Sequence, residues 1–206
     1  MKSRLFFRRW KFFKRSFDLI FAAIFVVILL PVFVAIAAGI KIDSCGQVFF
    51  RQKRVGKNGQ IFIVFKFRSM QKDAEKMQKK LAEKSHRDGP LFKIKNDPRI
   101  TKFGKILRKF SLDELPQLFN IFRGEMSFVG PRPHLPEEIA QFSLREKKIL
   151  FVKPGLTGLA QVSGRSDLPF AREIELDFQF IEKWSPLLDL KILGQTFLVA
   201  ARGDGD

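Results

Sequence analysis

Leu19–Ala38 reads LIFAAIFVVILLPVFVAIAA, twenty residues without a charge, and this run decides what kind of protein the chain is. As a straight helix it is about 30 Å long, enough to cross a bilayer core. Pro31 stands inside it, where a missing N–H and a ring clash kink a helix. Both flanks are basic. Lys2, Arg4, Arg8, Arg9, Lys11, Lys14 and Arg15 precede the run, and Lys41, Arg51, Lys53, Arg54 and Lys57 follow it. Because Lys and Arg favour the cytoplasmic side, the expected form is a re-entrant helix, kinked at Leu30-Pro31, with both ends in the cytoplasm. A single tilted span and a buried helix of a soluble domain are the alternatives. The following Gly39-Ile40-Lys41-Ile42-Asp43 has no small-x-small cleavage site, which argues against a signal peptide.

Outward from this run the chain divides into a basic arm (residues 1–16), a membrane segment (17–40) and one cytoplasmic globular unit (41–206). Net charge is +17 and the pI near 10.3, so the partner is anionic: nucleic acid, acidic lipid headgroups or a phosphorylated substrate. Cys45 is the only cysteine and His86 and His134 the only histidines, so no intrachain disulfide forms and a structural zinc lacks ligands. A metal here would be Mg²⁺ on carboxylate and phosphate oxygens. With 25 Phe and no Tyr, no phenol is available as acid, base or donor.

The expected fold class is α+β, mainly helical with a small β-hairpin, with amphipathic helices at the membrane interface. Gln47–Arg54 and Gln60–Arg68 are β-rich runs around Asn58-Gly59, a hairpin turn signal. Alternation puts Lys66 and Arg68 on one face of the second run. Ser69–Lys84 reads as a polar helix, His86–Pro90 as a breaker and Asn96-Asp97-Pro98-Arg99 as a turn. Lys102–Phe110 spaces Phe103, Ile106, Leu107 and Phe110 as one helical face, which suits either a headgroup-level helix or a helix packed on its own core. Further helices are expected at Leu135–Leu150, Ile174–Trp184 and Leu187–Ala200, with Pro186 between the last two.

Chemistry concentrates in Ser111-Leu112-Asp113-Glu114-Leu115-Pro116-Gln117 and in Pro131-Arg132-Pro133. Ser111-x-x-Glu114 matches a capping box, which explains Ser111 and Glu114 as a helix start. A box requires only the Glu, however, and the adjacent Asp113 is left over. Neighbouring carboxylates can divide labour on a phosphorylated substrate: one attacks phosphorus, the other binds Mg²⁺. Prolines on both sides of Arg132 stiffen a loop that presents a guanidinium suited to phosphate. Lys66, Arg68, Arg99, Lys153 and Arg165 are each, singly, ordinary surface cations.

Taken in order, Phe49–Gly56, Lys66–Met70, Asn96–Thr101, Ser111–Gln117, Met126–Pro133, Lys153–Gly158 and Gly164-Arg165 resemble the bacterial sugar transferases, the monotopic polyprenyl-phosphate phosphoglycosyl transferases. The likeness runs from Ser16 to about Thr196. It implies transfer of a sugar 1-phosphate from a UDP-sugar to a membrane polyprenyl (undecaprenyl) phosphate, with release of UMP. It also implies Mg²⁺ as cofactor and a covalent phosphosugar on the Asp of an Asp-Glu pair, here Asp113. Glu114 would then be the metal ligand. Arg132 with Pro131 and Pro133 would form part of the nucleotide and phosphate pocket, and Lys66, Arg68, Arg99, Lys153 and Arg165 would bind substrate. The setting implied is the cytoplasmic face of a bacterial inner membrane, with anionic headgroups as a partner, no nucleic acid, and a homodimer left open. Relatives often carry Ser before the kinking proline; here it is Leu30, which has no hydroxyl to offer a freed carbonyl. Larger relatives add an upstream membrane domain, so the chain resembles their catalytic unit. Two non-enzymatic readings compete: a basic membrane-tethered scaffold and an anionic-lipid binder. Neither uses the acidic pair.

Overall fold

The computed structural model describes residues 2–74, 77, 87–91, 94, 96–164 and 167–203, with side chains from residue 12. Helix α1 (Lys2–Ile28) and helix α2 (Leu30–Asp43) meet at Leu29. Their apolar parts, Phe12–Ile28 and Leu30–Asp43, are bent by 60°. The proline that would break a helix interior sits in the first turn of α2 instead, where its missing N–H is no loss. Among the described residues no single helix is long and apolar enough to cross a membrane; the bent pair passes that test together. Each leg buries one side against the rest of the protein, through Ala22 on α1 and Phe33, Ile36 and Ile40 on α2. Leu29, at the bend, packs against both clusters. The opposite side leaves Val27, Ile28, Leu30 and Val34 exposed.

Strands β1 (Phe49–Val55) and β2 (Ile61–Phe67) form the expected antiparallel hairpin, in register from Phe49↔Phe67 to Val55↔Ile61. Asn58 takes the left-handed conformation that its turn requires. Both faces of β2 are used. Phe62 and Val64 enter a core with Ala22, Leu118, Ile121, Met126, Phe180 and Ile192, while Phe67 lies on the other face, its ring 5.2 Å from that of Phe33 on α2. Helix α3 (Lys102–Lys109) starts on Thr101, whose hydroxyl accepts from the Gly104 N–H at 3.0 Å. A side chain at Gly104 would collide with the backbone of Ser69, so glycine lets α3 press against the end of the hairpin. Leu107 of α3 is buried beside Phe33, Ile36 and Ile40; Ile106 and Phe110 stay exposed.

Helix α4 (Gln117–Arg123) is tied to the edge of β2 by Asn120. Its amide accepts from the Phe65 N–H at 3.1 Å and donates to Ile63 O at 2.6 Å. Strands β3 (Ser127–Val129) and β4 (Gly155–Thr157) pair in parallel. The single helix expected over Leu135–Leu150 is corrected to two short pieces: α5 (Pro136–Ala140) and a 3₁₀ stretch at Glu146–Phe151. Ser143 and Glu146 cause the break, because they bond each other's backbone N–H reciprocally and begin a new turn. Helix α6 (Leu159–Val162) leads to α7 (Phe170–Lys183), which starts a turn earlier than expected, after Pro169, and to α8 (Pro186–Arg202). The fold is thus α+β, mostly helical with two two-stranded sheets among the described residues. Most of the expected helix Ser69–Lys84, and His86, lie outside the described residues.

Candidate active site

The capping box read at Ser111–Glu114 does not form. Ser111 is left-handed, φ 54° and ψ 23°, and its side chain caps nothing. Leu112–Glu114 is a single 3₁₀ turn, and α4 begins only after Pro116. Leu112 and Leu115 turn into the cluster of Phe33, Ile36, Ile40, Phe67 and Leu107. The acidic pair is therefore anchored in the cluster that also holds the second leg of the bent helix pair. Asp113 points inward and is 7% exposed. Glu114 Oε1 lies 2.6 Å from Lys66 Nζ.

Burial pushes the Asp113 carboxyl above the usual range, and the neighbouring Glu114 adds to that rise; Lys66 and Arg108 pull the other way. Lys66 reaches the pair because β2 alternates: Phe62 and Val64 anchor its inner face in the core, and the next inward side chain arrives at Glu114. Arg108 arrives from α3, steadied by a bond from its Nε to Ser69 Oγ at 2.9 Å. Sequence reasoning missed Arg108. It stands among the cations of Lys102–Lys109, and only the placement of that helix singles it out.

The Pro131-Arg132-Pro133 loop is held at three points. The Gly155 N–H donates to Pro131 O at 2.8 Å, Arg54 Nη1 donates to Pro133 O at 3.0 Å, and the Val55 N–H donates to His134 O at 2.9 Å. Pro131 and Pro133 are buried and Arg132 is half-buried. Arg54 is the second residue that the sequence did not single out. Burial, and then the neighbouring Arg132, lower its guanidinium to about 10, while Glu138 and Glu114 oppose that shift. Arg54 and Arg132 thus share one electrostatic neighbourhood with Glu114, and Arg54 remains a cation at neutral pH.

The other expected substrate residues divide. Lys153 lies near Arg15, Asp18 and Lys57, and burial followed by Arg15 lowers its ammonium from the usual lysine range. Its own carbonyl abuts Gly130, on the strand side of the proline loop. Arg68 is committed elsewhere: its guanidinium donates to Ser44 O, Ser44 Oγ and Cys45 O at the end of α2. Arg99 is buried, with Nη2 2.6 Å from Asp97 Oδ2. Burial would raise Asp97, but the Arg99 hydrogen bonds hold it below the usual carboxylate range. Arg165 lies outside the described residues.

Among the described residues no group of three or more His, Cys, Asp or Glu could hold a metal ion, so a closed protein cage is absent there. Mg²⁺ is commonly held by one or two carboxylates and completed by substrate phosphates and water. Glu114, a hard-oxygen donor next to the carboxylate of Asp113, fits that mode.

The family described as bacterial sugar transferase matches residues 9–203 of the chain. The galactosyl transferase CpsE of Streptococcus agalactiae serotype III is 43% identical over 193 residues, covering 93% of this chain and 43% of that protein. The exopolysaccharide production protein ExoY of Rhizobium meliloti is 41% identical over 191 residues, 89% of this chain and 83% of its own length. The UDP-glucose:undecaprenyl-phosphate glucose-1-phosphate transferase of Xanthomonas campestris pv. campestris is 43% identical over 188 residues, 85% of this chain and 36% of that protein. The chain therefore spans less than half the length of some of these relatives and most of the length of another.

Proposed function

This chain belongs to the bacterial sugar transferase family, and we propose that it transfers a sugar 1-phosphate from a UDP-sugar to polyprenyl phosphate at the cytoplasmic face of the bacterial inner membrane. The observation that carries this reading is the position of the acidic pair. Leu112 and Leu115, which flank Asp113 and Glu114, pack against the apolar cluster that Phe33, Ile36 and Ile40 of the second leg form with Phe67 of β2 and Leu107 of α3. Carboxylates seated there meet a water-borne nucleotide and the phosphate of a lipid at one point.

Asp113 is the nucleophile. Its carboxylate attacks the phosphorus that bears the sugar, the bond to the bridging oxygen breaks, and UMP leaves. An oxygen of polyprenyl phosphate then attacks the same phosphorus, and the bond to Asp113 breaks, restoring the carboxylate. Glu114 would hold Mg²⁺, which when bound neutralises phosphate oxygens that repel an attacking anion. Lys66 and Arg108 favour the ionised form of Asp113, and only the carboxylate attacks. Arg132 grips the diphosphate from a loop that Arg54 and Gly155 have already ordered, so little entropy is lost on binding.

The bent helix pair supports a re-entrant anchor. If its two legs share the 60° bend equally, each inclines about 30° to the membrane plane. Legs of about 26 Å (Phe12–Ile28) and about 21 Å (Leu30–Asp43) then descend roughly 13 and 10 Å, within the ~15 Å of hydrocarbon in one leaflet. Both legs and the bend also bury a side against the same globular unit, which favours both ends lying on one face. Ile106 on α3, Phe110 just after it, and Phe119 and Phe122 on α4 are exposed, on the elements beside the legs, and suit contact with the same surface.

The test is UMP release by detergent-solubilised protein from a panel of UDP-hexoses and UDP-N-acetylhexosamines, with and without polyprenyl phosphate and Mg²⁺. Release that depends on a UDP-sugar and on Mg²⁺ is expected. Silence across the panel, by folded protein, would favour the scaffold reading.

A further inference from the structure

The end of α2 is tied to two different elements, and each carries a cation that acts on Asp113. Arg68, just past β2, donates from Nη2 to Ser44 O at 2.6 Å and to Ser44 Oγ at 2.9 Å, and from Nη1 to Cys45 O at 2.9 Å. Two residues earlier, β2 presents Lys66 to Glu114. On the other side, Asp43 Oδ2 accepts from the Phe103 N–H of α3 at 3.2 Å, and α3 carries Arg108. The carbonyl end of a helix attracts a cation, and a planar guanidinium reaches three acceptors where an ammonium cannot hold the same fork. Gly46 completes the clamp. Its φ is +130°, and a side chain there would collide with Arg68 Nη1.

We propose that Arg68 is a positioning residue: it locks the exit of the membrane hairpin to the strand carrying Lys66, and so fixes the level at which a lipid-borne acceptor phosphate meets Asp113. The inference rests on the two-substrate reading above. Loosening the exit shifts the apolar legs relative to Lys66 and Arg108. The nucleotide side, built on Arg54, Arg132 and the loop at Gly155, has its own ties. The acceptor should therefore suffer and the UDP-sugar should not.

The experiment compares Arg68→Gln, Arg68→Lys and Gly46→Ala with the unaltered chain in lipid nanodiscs. One arm measures KM separately for polyprenyl phosphate and UDP-sugar. Losing a charged, multiply bonded contact gives an expected rise of about tenfold in acceptor KM for Arg68→Gln. Arg68→Lys should fall between Arg68→Gln and the unaltered chain, with KM for UDP-sugar within about twofold throughout. The second arm uses a nitroxide on Cys45, the only cysteine, and needs no activity. Its spectrum should report a more mobile label in Arg68→Gln and Gly46→Ala than in the unaltered chain. Equal shifts in both KM values, or an unchanged acceptor KM, would overturn the inference, as would an unchanged nitroxide spectrum in a folded but inactive variant. If the unaltered chain itself releases no UMP, the transfer reading fails, and the nitroxide arm still decides whether the clamp exists.

Discussion

Ser143-Leu144-Arg145-Glu146 and Ser111-Leu112-Asp113-Glu114 carry the same Ser-Leu-x-Glu pattern, and the two stretches fold differently. At the first, the Ser143 N–H donates to Glu146 Oε2 at 2.6 Å and the Glu146 N–H to Ser143 Oγ at 3.3 Å. Its leucine is 88% exposed. At the second, Ser111 is left-handed, no cap forms, Leu112 is drawn into the apolar cluster on α2, and Glu114 goes to Lys66. A capping box is a local bargain between neutral backbone donors and a side chain. A charge-assisted bond from a half-buried lysine, with a leucine that has somewhere to pack, outweighs it. A left-handed non-glycine residue costs roughly 1–2 kcal/mol, and such strain gathers where a site must be held open. The contrast frees both carboxylates at 113 and 114 from starting a helix.

The largest break in that contrast is expected from Asp113→Asn. If Asp113 is a nucleophile, turnover falls on the order of 10⁵-fold with the fold intact; if it is only a turn residue, turnover barely changes. The pH profile carries the same message. Burial first, and Glu114 second, raise the Asp113 carboxyl, so turnover should fall as pH drops through that raised value, sooner than an exposed aspartate would require. Cations at the site should move this acid limb to lower pH.

Next in size, Glu114→Gln should slow turnover on the order of 100-fold and weaken the Mg²⁺ dependence, because an amide is a poorer ligand for a hard cation. Glu146→Gln, the same change in the other turn, should leave turnover alone and alter stability by under about 0.5 kcal/mol, since Gln also completes a box. Equal effects of the two changes would erase the distinction between the turns. Arg132→Lys keeps the charge but not the planar fork, and should cost about 10- to 150-fold in kcat/KM. An unchanged value would reduce Arg132 to a turn element.

The smallest effects sharpen the comparison by sign. Ser143→Ala removes a real cap and should lower stability by about 1 kcal/mol, or roughly 2–4 °C in a thermal-shift assay. Ser111→Gly removes no cap and relieves a left-handed residue, so it should be neutral or stabilising by up to about 1 kcal/mol. A destabilised Ser111→Gly would mean that the serine is bonded after all.

What the residues disclosed follows the same division. Local chemistry was legible: the Asn58-Gly59 hairpin, and the Asp97 turn, whose carboxylate accepts from the Arg99 N–H at 3.0 Å. Of the face Phe103, Ile106, Leu107 and Phe110, only Phe103 and Leu107 pack on the cluster at α2, while Ile106 and Phe110 are exposed. Pro31 was read as a kink, and the chain uses it as the first turn of α2. What depended on distant partners was not legible. In a chain with 38 Lys and Arg, nothing local says that Arg68 turns to a helix end, while Arg54 and Arg108 reach the neighbourhood of the acidic pair. Two stretches that share Ser-Leu-x-Glu likewise differ in what packs beneath them.

The most direct test of the account is the intact mass of the protein quenched after exposure to a UDP-sugar and Mg²⁺ with no lipid acceptor. The unaltered chain should gain the mass of one sugar phosphate, as should Glu146→Gln, and adding polyprenyl phosphate should discharge it. Asp113→Asn should gain nothing. An unmodified mass in protein that still releases UMP once the acceptor is supplied, or an adduct that survives in Asp113→Asn, would contradict nucleophilic attack by Asp113.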